Sequence, residues 1–140
     1  MHKFPLELIQ VYFTRSIVVA IPEHDPNAKE GQIAAPHNTI DVTKVEGEEN
    51  NYAVSMRTVM NPEKNASSPY MIDMECMAFF KVDPKLTHEE AIRGVTLTGH
   101  NVVYGAIRES VGWITGRQPH GTLSLGLSVL NPTKSAELTT

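Results

Sequence analysis

The 140-residue sequence predicts an α+β fold in a single domain: a four-stranded antiparallel sheet followed by a short helix, one long helix and an extended apolar loop. Three observations predict it. Up to Val82 apolar residues recur at every second position, in runs rich in β-branched side chains. Polar clusters holding Gly, Pro and Asn separate the runs, as short turns between antiparallel neighbours require. After Asp83-Pro84 the period becomes helical. The core spans about 6–131, with 132–140 a polar, fraying tail. A chain of this length buries roughly 68–70% of its unfolded surface and needs no disulfide to hold a core.

The first strand runs from Leu6 to Ile21, bounded by Pro5 and Pro22, with Ile9, Val11, Phe13, Ile17, Val19 and Ile21 on one side and Arg15 as the single interruption. Residues 22–37 carry three prolines, Gly31 and mixed charge, and read as a loop. The second strand covers about Thr39 to Val45, and the cluster from Gly47 to Asn51 returns the chain as a hairpin. In the third, Tyr52 to Met60, one face is Tyr52, Val54, Met56 and Thr58. Beyond the turn at 61–69, the fourth strand spans Tyr70 to Val82. It sets Tyr70, Ile72, Met74, Cys76, Ala78 and Phe80 against a mixed face that includes Met71, Asp73, Glu75 and Met77.

Thr87-His88-Glu89-Glu90 has the form of a capping box and opens a short helix to about Arg93. A longer helix follows, from about Thr98 or Asn101 to Gly116. It has two apolar stripes, one of Val103, Ile107, Val111 and Ile114, the other of Val102, Ala106 and Trp113. A helix covering one face of a monomeric sheet needs a single stripe. Two stripes predict burial against the sheet on one side and a second copy on the other, with Gly105, Gly112 and Gly116 admitting a close neighbour. Val103, Ile107, Val111, Trp113 and Ile114 are therefore the expected oligomer interface. In residues 118–131, Leu123, Leu125 and Leu127 alternate in a Gly/Ser background, which reads as an extended apolar segment.

Composition excludes several functional classes. A net charge of −4 and a pI near 5.8 argue against nucleic acid or an anionic membrane as the main partner. No apolar run approaches a transmembrane span, and residues 1–20 lack a signal-peptide pattern, so a cytoplasmic location is expected. The lone Cys76 forms no internal bridge and reads as a small buried hydrophobe. Six scattered histidines show no metal-ligand spacing, and no phosphate loop or nucleophile elbow is present, so neither a metal nor a cofactor is expected. One catalytic candidate stands out. Glu109, midway along an apolar helix, could act as a general base in a hotdog-type thioesterase, although no partner nucleophile or second acid accompanies it.

Four segments carry a family resemblance. The first strand reads Ile9-Gln10-Val11-Tyr12-Phe13-Thr14-Arg15-Ser16-Ile17 and closes at Pro22; the third reads Tyr52-x-Val54-x-Met56-Arg57. The main helix holds Asn101-Val102-Val103-Tyr104, then Ile107-Arg108-Glu109, then Arg117, and alternating leucines precede Asn131. Together with the element order, these resemble the SecB family of export chaperones over about residues 8–131. The resemblance implies a Greek-key sheet and an ATP-independent holdase, not an enzyme. It also implies a homo-oligomer, a dimer or a tetramer built as a dimer of dimers with the long helices at its interface.

By the same resemblance, unfolded or precursor polypeptides would bind in apolar grooves along the sheet edge and under the loop, at Ile40, Val42, Leu123 and Leu125, with Asn38 standing where the family has an aliphatic residue. Met71 and Met77 join them because flexible methionines repack around unrelated partners. The family's acidic contacts to the export motor SecA fall on Ser16 and Ala20, which carry no charge, and on Asp73, which does. Two of three charges are gone, and the chain stops before the family's second helix and acidic tail. Both departures weaken SecA as the partner and favour a dedicated client. A structural assembly protein with one fixed partner is the remaining reading.

Overall fold

The computed structural model describes residues 5–27, 34–128 and 130. The elements are β1 (Leu6–Ala20), β2 (His37–Lys44), β3 (Asn51–Met60), β4 (Tyr70–Val82) and α1 (His88–Thr115). The expected tail 132–140 and Asn131 lie outside the described residues. All strand pairs are antiparallel and the sheet order is β1-β4-β3-β2. Strands β2, β3 and β4 follow one another, while the long connection after β1 places that strand beside β4. This is the Greek-key order that the resemblance implies.

The inner face of the sheet is the one expected for β3 and β4. Tyr52, Val54, Met56 and Thr58, and Tyr70 through Phe80 at alternate positions, are buried beneath α1. Cys76 is fully buried among them, and burial pushes its thiol up to about 11, leaving a packing residue rather than a nucleophile.

Strand β1 departs from the expectation. Its register with β4 slips between Leu8 and Gln10 and again between Phe13 and Arg15, leaving Ile9 and Thr14 as extra residues. Each bulge inverts the alternation. The strand residues packed against the core are Leu6, Val11, Phe13, Val18 and Ala20. Ile17 and Val19, expected beside Val11 and Phe13, instead oppose Asp73 and Met71 on the outer face.

The helical region also differs: the expected short and long helices are one 28-residue helix. Its capping box forms as read, with Glu90 N donating to Thr87 Oγ1 at 3.1 Å and Thr87 N donating to Glu90 Oε1 at 3.0 Å. Gly94, Thr96, Thr98 and Gly99, at or beside the expected gap, are weak helix formers. Val95, Thr96 and Gly99 are buried on the sheet, and that packing overrides propensity. The approach is closest at Gly99, where a Cβ would lie 2.5 Å from Val54 Cγ2.

Past the helix the chain turns at Gly116–Gly121 and runs back along α1 as an extended strap, residues 121–128. The turn is tied down by His120, whose Nε2 lies 2.7 Å from Ile21 O, and by Tyr70, whose hydroxyl donates to Gly121 O at 2.6 Å.

Candidate functional site

The outer face of the sheet has apolar ends and a charged middle. Met71 and Val19 lie opposite each other near one end; towards the other are Met77 and Phe79, with the Tyr12 ring 5.7 Å from that of Phe79. Met71 and Met77 are half-buried. Between the ends, Asp73 accepts from Arg57 Nε at 2.9 Å and Nη2 at 2.7 Å, and from Arg15 Nη1 at 3.2 Å. Thr14, the bulged residue, donates to Glu75. Asp73, the one acid that matched a SecA contact, is thus held between two guanidinium groups.

The hydrogen bonds from Arg57 hold the Asp73 carboxyl below its ordinary range, against the opposing effect of burial, and Arg15 adds attraction. The unfolded carboxyl titrates near about 3.9. The stabilisation is therefore full above that value and is lost as pH falls through the lower native pKa. We expect the urea midpoint of the wild type to fall more steeply between about pH 4 and 2 than that of Asp73→Asn. Parallel slopes would show that the ion pairs contribute nothing.

Strand β1 is a free edge of the sheet. Five of the eight large hydrophobic residues left exposed among the described residues lie on it: Leu8, Ile9, Tyr12, Ile17 and Val19. A long apolar edge with unpaired backbone groups is a template for another strand, and soluble proteins cover it or charge it. On α1, Val102 and Ala106 are half-buried and Trp113 is 62% exposed, with Arg117 Cζ stacked 3.7 Å from its ring centroid.

The predicted interface residues separate into two groups. Val103, Ile107 and Val111 are 0% exposed within the single chain, packed on its own sheet. The stripe expected to be shared with another copy is in part the intrachain core. Ile114 is half-buried and Trp113 is open, so they and the Val102 stripe are what the helix offers a partner.

The predicted client residues separate similarly. Val42 is 0% exposed although β2 is an edge strand, and Leu125 is 3% exposed. Ile40 and Leu123 are half-buried against the core, and Leu127 stands 85% exposed. What the sequence reading missed is the set of polar groups that hold the strap. Tyr104 Oη donates to Gly126 O, Thr115 Oγ1 accepts from Leu123 N at 2.8 Å, and His100 Nε2 is hydrogen-bonded to Ser128 Oγ at 3.0 Å. The signal was available: His100, Tyr104 and Thr115 form a polar line at helical spacing beside the apolar stripe. At 100° per residue, Tyr104 lies about 200° around the helix from Val102, so strap and Trp113 stripe occupy opposite flanks.

Glu109 is exposed on α1, so the apolar surroundings that its general-base role requires are missing. No group of three or more His, Cys, Asp or Glu side chains among the described residues is placed to hold a metal ion. No helix among them is long and apolar enough to cross a membrane.

Comparison with solved structures gives a likeness of fold. The SecB-like chaperone of Mycobacterium tuberculosis, solved in complex with a ChAD peptide from the HigA1 antitoxin, superposes with a TM-score of 0.68 at 19% identity, over 91% of this chain and 93% of that one. A protein of unknown function from Streptococcus agalactiae superposes with a TM-score of 0.57 at 7% identity, over 87% of this chain and 97% of that one. No family model matches the chain. No curated protein matches it either.

Proposed function

We propose that this chain is a SecB-like, ATP-independent holdase that binds non-native polypeptide through apolar surfaces and works as a homo-oligomer, a dimer or a dimer of dimers, in the cytoplasm. The observation that carries the reading is the display of large apolar side chains along β1 and across the methionine-bearing outer face, on a fold shared with a chaperone solved holding a peptide. Adaptable apolar surface serves a binder of many sequences better than a shaped pocket does. Client contact is assigned to Met71 and Met77, to the region of Ile40 and to the surface along α1 on which the strap lies; assembly is assigned to β1 and the Trp113 flank.

The polar middle of the outer face makes a dedicated client a better partner than SecA. Ser16 and Ala20 carry no charge and pair with the inner-face residues Met74 and Tyr70, while on the outer face Asp73 is already paired with Arg15 and Arg57, which leaves it little charge to offer SecA.

The test is dilution of a chemically denatured enzyme into buffer without nucleotide, with and without the protein, followed by light scattering. Suppression at near-stoichiometric ratios is expected, with Glu109→Gln as effective as the wild type. Undiminished aggregation would remove the holdase reading. Acyl-thioester hydrolysis abolished by Glu109→Gln would replace it with the enzyme.

A further inference from the structure

We propose that strap residues 121–128 occupy the chain's own peptide groove as an internal stand-in for a client, and that an extended apolar peptide binds by displacing them. This rests on the holdase reading and specifies how one of its sites is gated.

The strap is held by its backbone more than by its side chains. Tyr70 and Tyr104 donate to the carbonyls of Gly121 and Gly126, and Thr115 accepts from the amide of Leu123. The Thr115 hydroxyl is oriented for this, because it donates to Val111 O at 2.6 Å and so turns a lone pair towards the strap. Burial pushes both tyrosine hydroxyls up, which keeps them protonated as donors. Carbonyl and amide groups at this spacing belong to any extended chain, so the body reads a backbone and not a sequence. That is the mode in which extended peptides are captured generally.

The apolar part of the contact is equally generic. Of the alternating leucines, Leu125 is 3% exposed, Leu123 is half-buried and Leu127 is 85% exposed. One deep anchor with an extended backbone on either side is a pattern that a non-native polypeptide supplies many times over. A client that fills the Leu123 and Leu125 positions and meets the same three polar groups reproduces the strap's contacts. The turn pinned by His120, whose Nε2 lies 2.7 Å from Ile21 O, marks the start of the segment that has to leave.

The strap is therefore a competitor, and apparent affinity equals intrinsic affinity multiplied by the fraction of chains in which it is open. Weakening the strap without touching the body tightens client binding. Leu125→Ala does this, since it removes the anchor and leaves Tyr70, Tyr104 and Thr115 in place. With a fluorescein-labelled peptide carrying leucines at alternate positions among serines, we expect Leu125→Ala to bind at least about tenfold more tightly than the wild type. In the wild type, saturating peptide is expected to accelerate hydrogen exchange at the Leu123 amide. If Leu125→Ala fails to fold, the exchange measurement alone decides. Unchanged protection of Leu123 at saturating peptide, or no gain in affinity in a folded Leu125→Ala, would overturn displacement. A wild type that suppresses aggregation and binds peptide with its strap still protected loses only this inference, whereas one that does neither loses the holdase reading as well.

Discussion

Gly99→Ala is expected to destabilise the chain by about 1–3 kcal/mol, the reverse of what the same change does in an open helix. Within a helix interior alanine is favoured over glycine by up to about 1 kcal/mol. At position 99 the added methyl would lie 2.5 Å from Val54 Cγ2 and 3.1 Å from its Cβ. Val54 cannot give way. It is 0% exposed, β-branched, and set in β3 between Val42 and Ala78 on the neighbouring strands. The helix must lift instead, loosening the contacts of Val95, Val103 and Ile107 with the sheet. Gly105→Ala is the control: nothing lies within 4 Å of its added methyl, so it should stabilise the single chain by up to about 1 kcal/mol. Urea midpoints measure both. Val54→Ala should recover part of the loss in the Gly99→Ala background, a coupling expected only for side chains in contact. A stabilised Gly99→Ala would mean that the helix rides high enough on the sheet to seat the added methyl beside Val54.

That contrast shows where the sequence was legible. Period-two alternation over Tyr52 to Phe80 located the buried face of β3 and β4 residue by residue, because an antiparallel sheet with one covered face gives each residue only two possible orientations. In β1 the same logic failed at Ile9, which is bulged and 52% exposed, and again after Thr14. A bulge adds one residue and costs the pattern its phase, and Arg15 was its visible trace, read as an interruption within a face rather than as a change of face. The helix break was misread for a different reason. Gly94, Thr96 and Gly99 argue against a helix on local propensity, and only the proximity of Val54 explains why a glycine is needed within one. Of the three glycines that the sequence marked for close approach, Gly105 and Gly112 face open space in the single chain, and at Gly116 an added Cβ would lie 3.0 Å from Thr122 Oγ1.

The candidate site was legible in outline and less so in its parts. Spacing placed apolar residues on two helix flanks, but it did not say which stripe meets the sheet. Val103, Ile107 and Val111 went inward while Trp113 stayed out, and that choice depends on how the helix rotates over a twisted sheet. The exposure of β1 was hidden altogether, since a strand's place at a sheet edge is a property of topology and not of its own residues. Strand β1 has the composition of a buried strand, which is the reason its edge position matters.

On the assembly reading, Ile9→Lys combined with Ile17→Lys should convert the protein into a folded single chain. Ile9 is 52% and Ile17 36% exposed, so neither substitution disturbs the intrachain core, and far-ultraviolet circular dichroism should not change. An edge-to-edge or face contact along β1 would bury both ammonium groups, the one at position 17 opposite an Asp73 that already serves Arg15 and Arg57, and buried charge so poorly matched is strongly opposed. Lysine on an exposed strand is also how soluble proteins keep their edges from pairing. The expected result is a native mass of one chain at concentrations where the wild type is larger, with self-affinity reduced at least about a hundredfold. Trp113→Ser tests the other flank. An exposed indole held flat by Arg117 has the form of an interface anchor, and truncating such an anchor commonly costs about 2 kcal/mol or more. If β1 and α1 contribute to different contacts, the lysine pair and Trp113→Ser should stop assembly at different stages, which native mass under dilution resolves. A wild type that is a single chain at tens of micromolar, on the order of the concentrations used for such measurements, would refute both assignments. It would leave β1 as an open apolar edge with the client as its only partner.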